Sequence, residues 1–291
     1  MSEYIIATVS TSDLTREFLE EHNVPFISYT YTINNEVFED DCREETRQAV
    51  YKRMRAGDDL LTSQINVYTY HDFFKKLMDT GKDVIFLDMS IPMSRSYISA
   101  GEAKEMIDKE YPNQRFYMMD TRCVSGGLGV LVKSMVRRHE EGMSFEDVIA
   151  WGEANKFHVM HHFTVDDLNY LKRGGRVSNA SAMVGTLLSI KPVLYVPEDG
   201  TLTVSCKVRG RKAALLKILA QIKADLVEPD GQEVDILHAD CLEDAEFMRE
   251  KILQAFPTLK AVNITGLGVI IGAHCGPGLL TIFYFGDKRR P

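Results

Sequence analysis

The sequence lacks the local motifs of several common enzyme classes. It has no GxSxG nucleophile elbow, no GxxxxGK[ST] phosphate loop, no HExxH zinc motif and no intact GxGxxG. Its five cysteines form no CxxC pair, so neither a disulfide framework nor a zinc site is indicated. The three histidines of residues 158–162 do not share one strand face, which also argues against a three-ligand site. We therefore expect no catalytic residue, no cofactor and no metal ion.

Positive charge is also scarce. The chain has 34 Lys and Arg against 42 Asp and Glu, a formal net charge of −8. A nucleic-acid partner would need a basic face, so we expect none. The first ten residues lack a basic region followed by a long apolar run, and with the unpaired cysteines this favours a cytoplasmic protein.

One long stretch without Asp, Glu, Lys or Arg, residues 266–286, resembles a membrane span in composition. It contains six glycines, a proline and a histidine, which break such a span. We predict instead two short buried strands around a Gly-Pro-Gly turn.

The organisation of the chain predicts two domains. Up to about residue 157, short β-like runs alternate with amphipathic helical patterns, which predicts an α/β domain (1–157) with a largely parallel sheet flanked by helices. The rest has longer β segments and a hairpin signal at residues 198–200, which predicts an α+β domain (158–291). Ligands of such parallel sheets lie at the carboxyl ends of the strands.

Residues 88–100, DMSIPMSRSYISA, are a first candidate site. A buried-strand pattern ends at Ser90, and a helical pattern begins near Ser94. Hydroxyls and free backbone N–H groups at a helix start bind anions, but serine is equally a common helix cap. Both interpretations of Ser94 remain open.

Residues 60–66, LLTSQIN, are a second candidate. Thr62, Ser63 and Gln64 follow one helical pattern and precede another. Three short polar side chains suit a carboxylate or a phosphate, and they are also ordinary loop residues.

His274 is a third candidate, because it stands in the glycine-rich segment GLGVIIGAHCGPGLL. It has the chemistry of a base, a metal ligand or a donor to an anion, although a lone histidine is more often structural. The glycines around it, Gly272, Gly276 and Gly278, leave bare backbone that a ligand can approach.

Two basic segments stand out in the acidic chain, LKRGGR (171–176) and KVRGRK (207–212). Their lysines and arginines suit docking to an anionic surface or to a protein partner. A solvated face explains them equally well.

Several segments together resemble the DegV family, in their order and spacing over nearly the whole chain. The segments are STSDL (10–14), LTSQ (61–64), SIPMSRSYISA (90–100), DTRCVSGGLG (120–129), DDLNYLKRGGRVS (166–178), LLSIKPVL (187–194) and GVIIGAHCGPG (268–278).

The resemblance, which extends to the FakB type, implies a bacterial cytoplasmic protein that holds a long-chain fatty acid between its two domains. A separate fatty acid kinase would then phosphorylate the acid to an acyl-phosphate. Residue by residue, the matching carboxylate ligands are Thr62, with its neighbour Ser63, and Ser94 and His274. The basic residues implicated in docking to the kinase or transiently to a membrane surface match Arg173 and Arg209.

The chain departs from the family pattern at two positions. Val9 stands where the family has an aspartate, and Arg95, between Ser94 and Ser96, stands where it has a glycine. We expect Met93, Arg95, Gly276 and Gly278 to lie beside the ligand, where Arg95 would narrow the site or pair with the head group.

A fatty acid would gain its affinity from the buried tail and its orientation from the polar groups around its carboxylate. Methionines such as Met89, Met93 and Met183 suit a tunnel for a flexible chain. Two alternatives remain. One is an acyl hydrolase that uses Ser94 as nucleophile and His274 as base, and the other is a nucleotide-binding or regulatory protein, suggested by SGGLG (125–129).

Overall fold

A computed structural model of the chain describes residues 4–176 and 189–290. Its strands, in chain order, are β1 (Tyr4–Val9), β2 (Phe26–Ile27), β3 (Thr30–Ile33), β4 (Glu36–Glu39), β5 (Leu60–Ser63), β6 (Asp83–Asp88), β7 (Phe116–Asp120), β8 (Val159–Thr164), β9 (Ile190–Tyr195), β10 (Thr203–Arg209), β11 (Glu233–His238), β12 (Ala261–Gly266) and β13 (Leu280–Phe285).

The helices of the described residues are mostly amphipathic and cover the sheets. In chain order they are α1 (Arg16–Glu21), α2 (Glu44–Arg55), α3 (Val67–Met78), α4 (Ser96–Glu110), α5 (Gly126–Glu140), α6 (Phe145–Asn155), α7 (Leu168–Gly174), α8 (Arg211–Asp225), α9 (Leu242–Ala255) and α10 (Val269–Cys275). Two short 3-10 turns occupy Ser10–Ser12 and Lys156–His158. None of the described helices is long and apolar enough to cross a bilayer.

The first half of the chain contains the predicted parallel sheet, in the order β2-β1-β6-β7. The apolar residues of β6 are buried on both faces, as is usual for a parallel sheet covered by helices. β6 ends at Asp88 and α4 begins at Ser96, each two residues away from the predicted bounds at Ser90 and Ser94. The loop between them lies at the carboxyl edge of the sheet, where we expected a ligand.

A small antiparallel sheet, β4-β3-β5, was not predicted. The run PFISYTYTI, one β-like segment in the sequence, is divided between β2 in the parallel sheet and β3 in this second sheet. Residues 60–66 were interpreted as a loop, but β5 pairs with β3 and places Thr62 opposite Tyr31. A strand of four residues is too short for its pattern to be distinguished from a loop.

The C-terminal part contains a mixed six-stranded sheet, in the order β10-β9-β8-β13-β11-β12. The predicted hairpin is confirmed as the antiparallel pair β9 and β10. The prediction of two strands around a Gly-Pro-Gly turn is wrong in one part. β12 ends at Gly266, and the helix α10 stands between it and β13. α10 has only seven residues and is largely buried, so its apolar residues do not show the periodicity of an amphipathic helix.

Buried side chains from both halves form a continuous core, in which Phe86 of β6 and Leu128 of α5 belong to the same cluster as Phe163 of β8 and Phe283 of β13. A second cluster lies between the C-terminal sheet and the helices α8 and α9. The predicted boundary near residue 157 falls in the turn Lys156–His158. The division into domains 1–157 and 158–291 stays a prediction.

Candidate functional site

A cavity of about 500 Å³ lies between the parallel sheet and the C-terminal sheet. Its walls come from β5, the loop after β6, α7, β8, α10 and β13. Most of the lining is apolar and includes Met89, Phe163, Leu202, Leu267, Leu279 and Phe283. Small-molecule sites are commonly about 300–1,000 Å³ and mainly apolar, with a few polar groups that fix orientation. The cavity therefore suits a molecule with a large apolar part and a small polar head.

Thr62 and His274 meet at a polar part of this cavity, although 212 residues separate them in the chain. Thr62 comes from β5 and His274 from α10, and Thr62 Oγ1 lies 2.9 Å from His274 Nε2. Gly174 packs against the other side of the ring, so closely that a methyl group added to this glycine would lie 2.7 Å from Nδ1. The ring is thus held with Nε2 towards Thr62.

The environment of His274 keeps its ring neutral. Burial, together with the positive charge of Arg176, lowers the pKa of His274 to about 4. A neutral imidazole has one donor nitrogen and one acceptor nitrogen. An N–H at Nε2 can be donated to Thr62 or to an acceptor in the cavity, and an anion in the cavity would raise the pKa again.

Ser94 lies both at the start of α4 and in the wall of the cavity. The backbone N–H of Ser96 donates to Ser94 Oγ at 3.2 Å, just before α4 begins. Ser94 Oγ also lies 3.1 Å from the Tyr29 hydroxyl, and both residues line the cavity. The serine thus stabilises the helix start and also presents its hydroxyl to the cavity.

Ser63, Met89 and Met93 are also in the cavity wall. Ser63 follows Thr62 on β5 and is more exposed. Met183 lies outside the described residues.

The expectation for Arg95 is corrected by the structure. Its side chain is exposed and does not belong to the cavity lining. Arg176 lines the cavity instead, and its Nε donates to the Met93 carbonyl oxygen at 3.3 Å. In the sequence, Arg176 stands out only as part of a basic segment, so the arginine beside the polar groups was predicted wrongly.

The glycines around His274 do not provide bare backbone for a ligand. Gly276 faces the ring of Tyr170, Gly278 faces the carboxylate of Asp166, and neither lines the cavity. Both have positive φ angles, 76° and 88°, and a residue with a side chain would be strained in this backbone conformation. Their function is to form the turn that follows α10 and to allow close packing.

The two arginines expected in docking lie in different places. Arg173, on α7, lines the cavity, is largely exposed, and contacts Asp59 at 3.3 Å. Its guanidinium also stands over the Tyr170 ring, 4.6 Å from the centroid. Arg209 ends the edge strand β10, is exposed, and does not line the cavity. Docking by either residue stays a prediction.

The glycines of SGGLG pack closely against other protein atoms and do not form a phosphate cradle. The α-carbon of Gly127 faces the ring of His161, whose Nδ1 donates to the Val159 carbonyl at 2.9 Å. His161 Nε2 accepts the backbone N–H of Val124 at 3.3 Å, and the ring lines the cavity. This segment therefore gives no support for nucleotide binding.

Comparison with known proteins identifies the family. A family model described as "Uncharacterised protein, DegV family" matches residues 4–287. The chain belongs to the DegV family. A DegV domain-containing protein of Clostridium perfringens is 35% identical over 292 residues, which cover 100% of both chains.

Two solved structures share the fold. A structure titled "Fatty Acid Binding of a DegV family Protein from Thermus thermophilus" has a TM-score of 0.87 at 27% identity and covers 98% of this chain and 100% of its own. A stearic acid-binding protein from Eubacterium ventriosum has a TM-score of 0.86 at 25% identity and covers 98% of this chain and 99% of its own.

Three cavity residues of this DegV-family chain were missed from the sequence. Tyr29 reaches Ser94, Arg176 approaches His274, and His161 stands beside Phe283. Arg176 had a visible signal, because it lies in a basic segment two residues after Gly174. His161 was considered only in the histidine group of residues 158–162, as a metal ligand. Tyr29 had no signal, since an aromatic residue in a β-like run is ordinary core composition.

Proposed function

We propose that the protein is a carrier that buries the chain of a long-chain fatty acid in the 500 Å³ cavity and holds its carboxylate with Thr62, Ser94 and His274. The observation that carries this proposal is the contact of 2.9 Å between Thr62 and His274 in a mostly apolar cavity that the buried Ser94 also lines. Fatty-acid binding by a DegV-family protein of Thermus thermophilus, and stearic-acid binding by a second protein of the same fold, support it.

The apolar wall accounts for affinity. Each methylene that leaves water contributes roughly 0.8 kcal/mol, so about sixteen carbons contribute on the order of 12 kcal/mol before the costs of binding. Met89 and Met93 add unbranched, adaptable surface along this wall.

The polar groups account for orientation. A carboxylate that is removed from water must be hydrogen-bonded or paired. The hydroxyls of Thr62 and Ser94 and the neutral His274 ring can donate to it, with Ser63 beside them. Arg176 adds positive charge near the same place without itself being fully buried.

The geometry supports binding better than acyl hydrolysis. A serine nucleophile needs a base within hydrogen-bond reach, and this base is usually oriented by a third group. In the described part of the chain, Ser94 contacts Tyr29 while His274 Nε2 contacts Thr62. His274 Nδ1 faces the small residue Gly174, where an orienting carboxylate would have to stand.

We further propose that the carrier is of the FakB type, is cytoplasmic, and presents the bound acid to a fatty acid kinase. There a carboxylate oxygen would attack the γ-phosphorus of ATP, form an O–P bond and release ADP.

The exposed Arg173 beside the cavity and Arg209 on β10 would contact the kinase or, transiently, a membrane surface. Hydroxylamine trapping of the acyl-phosphate, with the kinase and the R173A and R209A variants, tests this step.

Fatty-acid binding is tested by native mass spectrometry of gently purified protein, which should show a co-purified acyl mass. The S94A/H274A double variant should lose this mass while keeping its fold. A double variant with a serine and a histidine far from the cavity, S205A/H71A, should retain it, since neither residue lines the cavity. Retention of the same acyl mass by S94A/H274A, with unchanged affinity, would remove this site assignment.

A further inference from the structure

Alternate residues of β13 form part of the cavity wall. Thr281 and Phe283 line the cavity, as does Leu279 just before the strand begins. The residues between them belong to the second core cluster on the opposite face of the sheet: Leu280, Ile282 and Tyr284. The strand therefore presents two apolar side chains and one hydroxyl group, that of Thr281, to the ligand space.

Apolar side chains surround Thr281 on its own face of the sheet. In the neighbouring strands it stands opposite Phe163 of β8 and Leu237 of β11. Along the chain, the nearest residues on the same face are Leu279 and Phe283, two positions away in either direction. Such cross-strand partners and alternate residues are the closest neighbours of a side chain on a sheet. The surrounding sheet thus offers no polar side chain to the Thr281 hydroxyl.

The Thr281 hydroxyl also lacks a hydrogen bond. Thr281 is only 4% exposed, and its side chain makes no hydrogen bond with another residue in the described part of the chain. Thr8, Thr121 and Thr164 are fully buried, and their hydroxyls donate to backbone carbonyl oxygens at 2.7–3.0 Å. Thr11 also has no partner, but it does not line the cavity. Because a buried hydroxyl without a partner is unfavourable, Thr281 favours a ligand that supplies one.

Two other buried polar side chains of the cavity wall already have protein partners. Both ring nitrogens of His161 contact backbone groups, the carbonyl oxygen of Val159 and the N–H of Val124. The Ser125 hydroxyl donates to the carboxylate of Asp13. Unlike these groups, the Thr281 hydroxyl has both its hydrogen and its lone pairs available to a ligand.

We propose that Thr281 is a specificity-determining residue that binds a hydroxyl group on the chain of the fatty acid, so that the preferred ligands are long-chain hydroxy acids. The inference rests on the proposed function and specifies the substrate class of that site. There the carboxylate is held by Thr62, Ser94 and His274, so the oxygen that Thr281 binds belongs to the chain.

An alcohol on the chain matches the chemistry of Thr281. Both groups can donate and accept, so either one can supply the hydrogen. A saturated chain at this place leaves the Thr281 hydroxyl without a partner, and a valine at position 281 would leave the hydroxyl of the ligand without one. Sites that hydrogen-bond a substrate hydroxyl therefore discriminate against the analogue that lacks it more strongly than an apolar wall discriminates between chain lengths.

The experiment compares stearic acid with hydroxystearic acids whose hydroxyl group lies at successive positions from the middle of the chain to its methyl end. Binding to the delipidated full chain is measured by displacement of a fluorescent fatty acid. The wild type should bind at least one isomer as tightly as stearic acid or more tightly. T281V should bind that isomer about tenfold more weakly than stearic acid, because the buried alcohol loses its partner.

Two further variants separate the hydrogen bond from the shape of the side chain. T281S keeps the hydroxyl and should keep the preference of the wild type for the same isomer. T265V is the matched control, since Thr265 on β12 stands in the same row of the sheet beyond Leu237 and does not line the cavity. Its affinities should equal those of the wild type. T281A, which also lacks the hydroxyl, replaces T281V if T281V does not fold.

The ratio of the two affinities decides the outcome. Equal ratios in T281V and the wild type for every isomer would overturn the inference, as would tighter binding of stearic acid than of every isomer by the wild type. Equal weakening of stearic acid and all hydroxystearic acids by T281V would also overturn it, because Thr281 would then be a ligand of the carboxylate. Failure of the wild type to bind any of these acids would instead contradict the proposed function.

Discussion

Gly174 shows how a single residue can set the geometry of the polar site. It ends α7, and a methyl group there would lie 2.7 Å from Nδ1 of His274. Because the other side of the ring contacts Thr62, the ring can relieve this clash only by moving Nε2. We expect G174A to bind oleic acid about tenfold more weakly, the cost of losing one hydrogen bond to the charged head, as measured by displacement of a fluorescent analogue.

Gly101 provides the matched control for this prediction. It lies inside α4, where the nearest atom to an added methyl group is 3.8 Å away, on Met118. Alanine is favoured over glycine in a helix by up to about 1 kcal/mol, so G101A should raise the melting temperature and leave affinity unchanged. Wild-type affinity in G174A would mean that the position of the His274 ring does not control binding.

At the scale of elements, α10 takes its position from the first half of the chain. The segment before it accepts hydrogen bonds from two buried side chains of α2. Arg47 Nη1 donates to the Gly266 carbonyl at 2.8 Å, and the Tyr51 hydroxyl lies 3.1 Å from the Leu267 carbonyl oxygen. A helix of seven residues is not stable by itself, so its placement depends on such contacts. His274 is carried with it.

Y51F should therefore affect both stability and binding. Loss of the hydroxyl leaves buried carbonyl groups without this donor, which should lower the free energy of unfolding by about 1 kcal/mol in a urea titration. The looser α10 should also weaken oleic acid binding severalfold. Y68F, at a position that is 76% exposed, should change neither quantity. Reduced stability of Y51F with unchanged affinity would show that Tyr51 does not position His274.

The elements differ in how far the sequence predicts them. The strands β1, β6 and β7 of the parallel sheet and the hairpin β9–β10 were predictable because their runs are long enough to show a pattern. β5 and α10 were missed because they have four and seven residues, and they carry Thr62 and His274. These two residues were identified as partners only through the family resemblance, since no local sequence pattern predicts a contact between residues 212 positions apart in the chain. The error at Arg95 has the same origin, because only the fold shows that Arg176 approaches the cavity.

At the scale of the molecule, the cavity is shared between the halves of the chain. Its polar wall combines β5 and Ser94 from the first half with α10 from the second, and its apolar wall includes β8 and β13. A ligand that contacts both halves stabilises the folded chain as a whole, by about 2.7 kcal/mol when its free concentration is 100 times Kd. Binding and global stability should therefore rise together.

The size of the cavity should set the preferred length of the acid. For saturated acids from ten to twenty carbons, each added methylene should lower Kd about fourfold, from roughly 0.8 kcal/mol of burial, until the cavity of about 500 Å³ is full. Beyond that length Kd should level off. L202W adds volume to the cavity wall and should move this limit to a shorter acid, whereas L216W, on the 43% exposed Leu216 of α8, should not. An identical length profile in L202W and the wild type would place the tail outside this cavity, since a bulkier wall must shorten the space that it encloses.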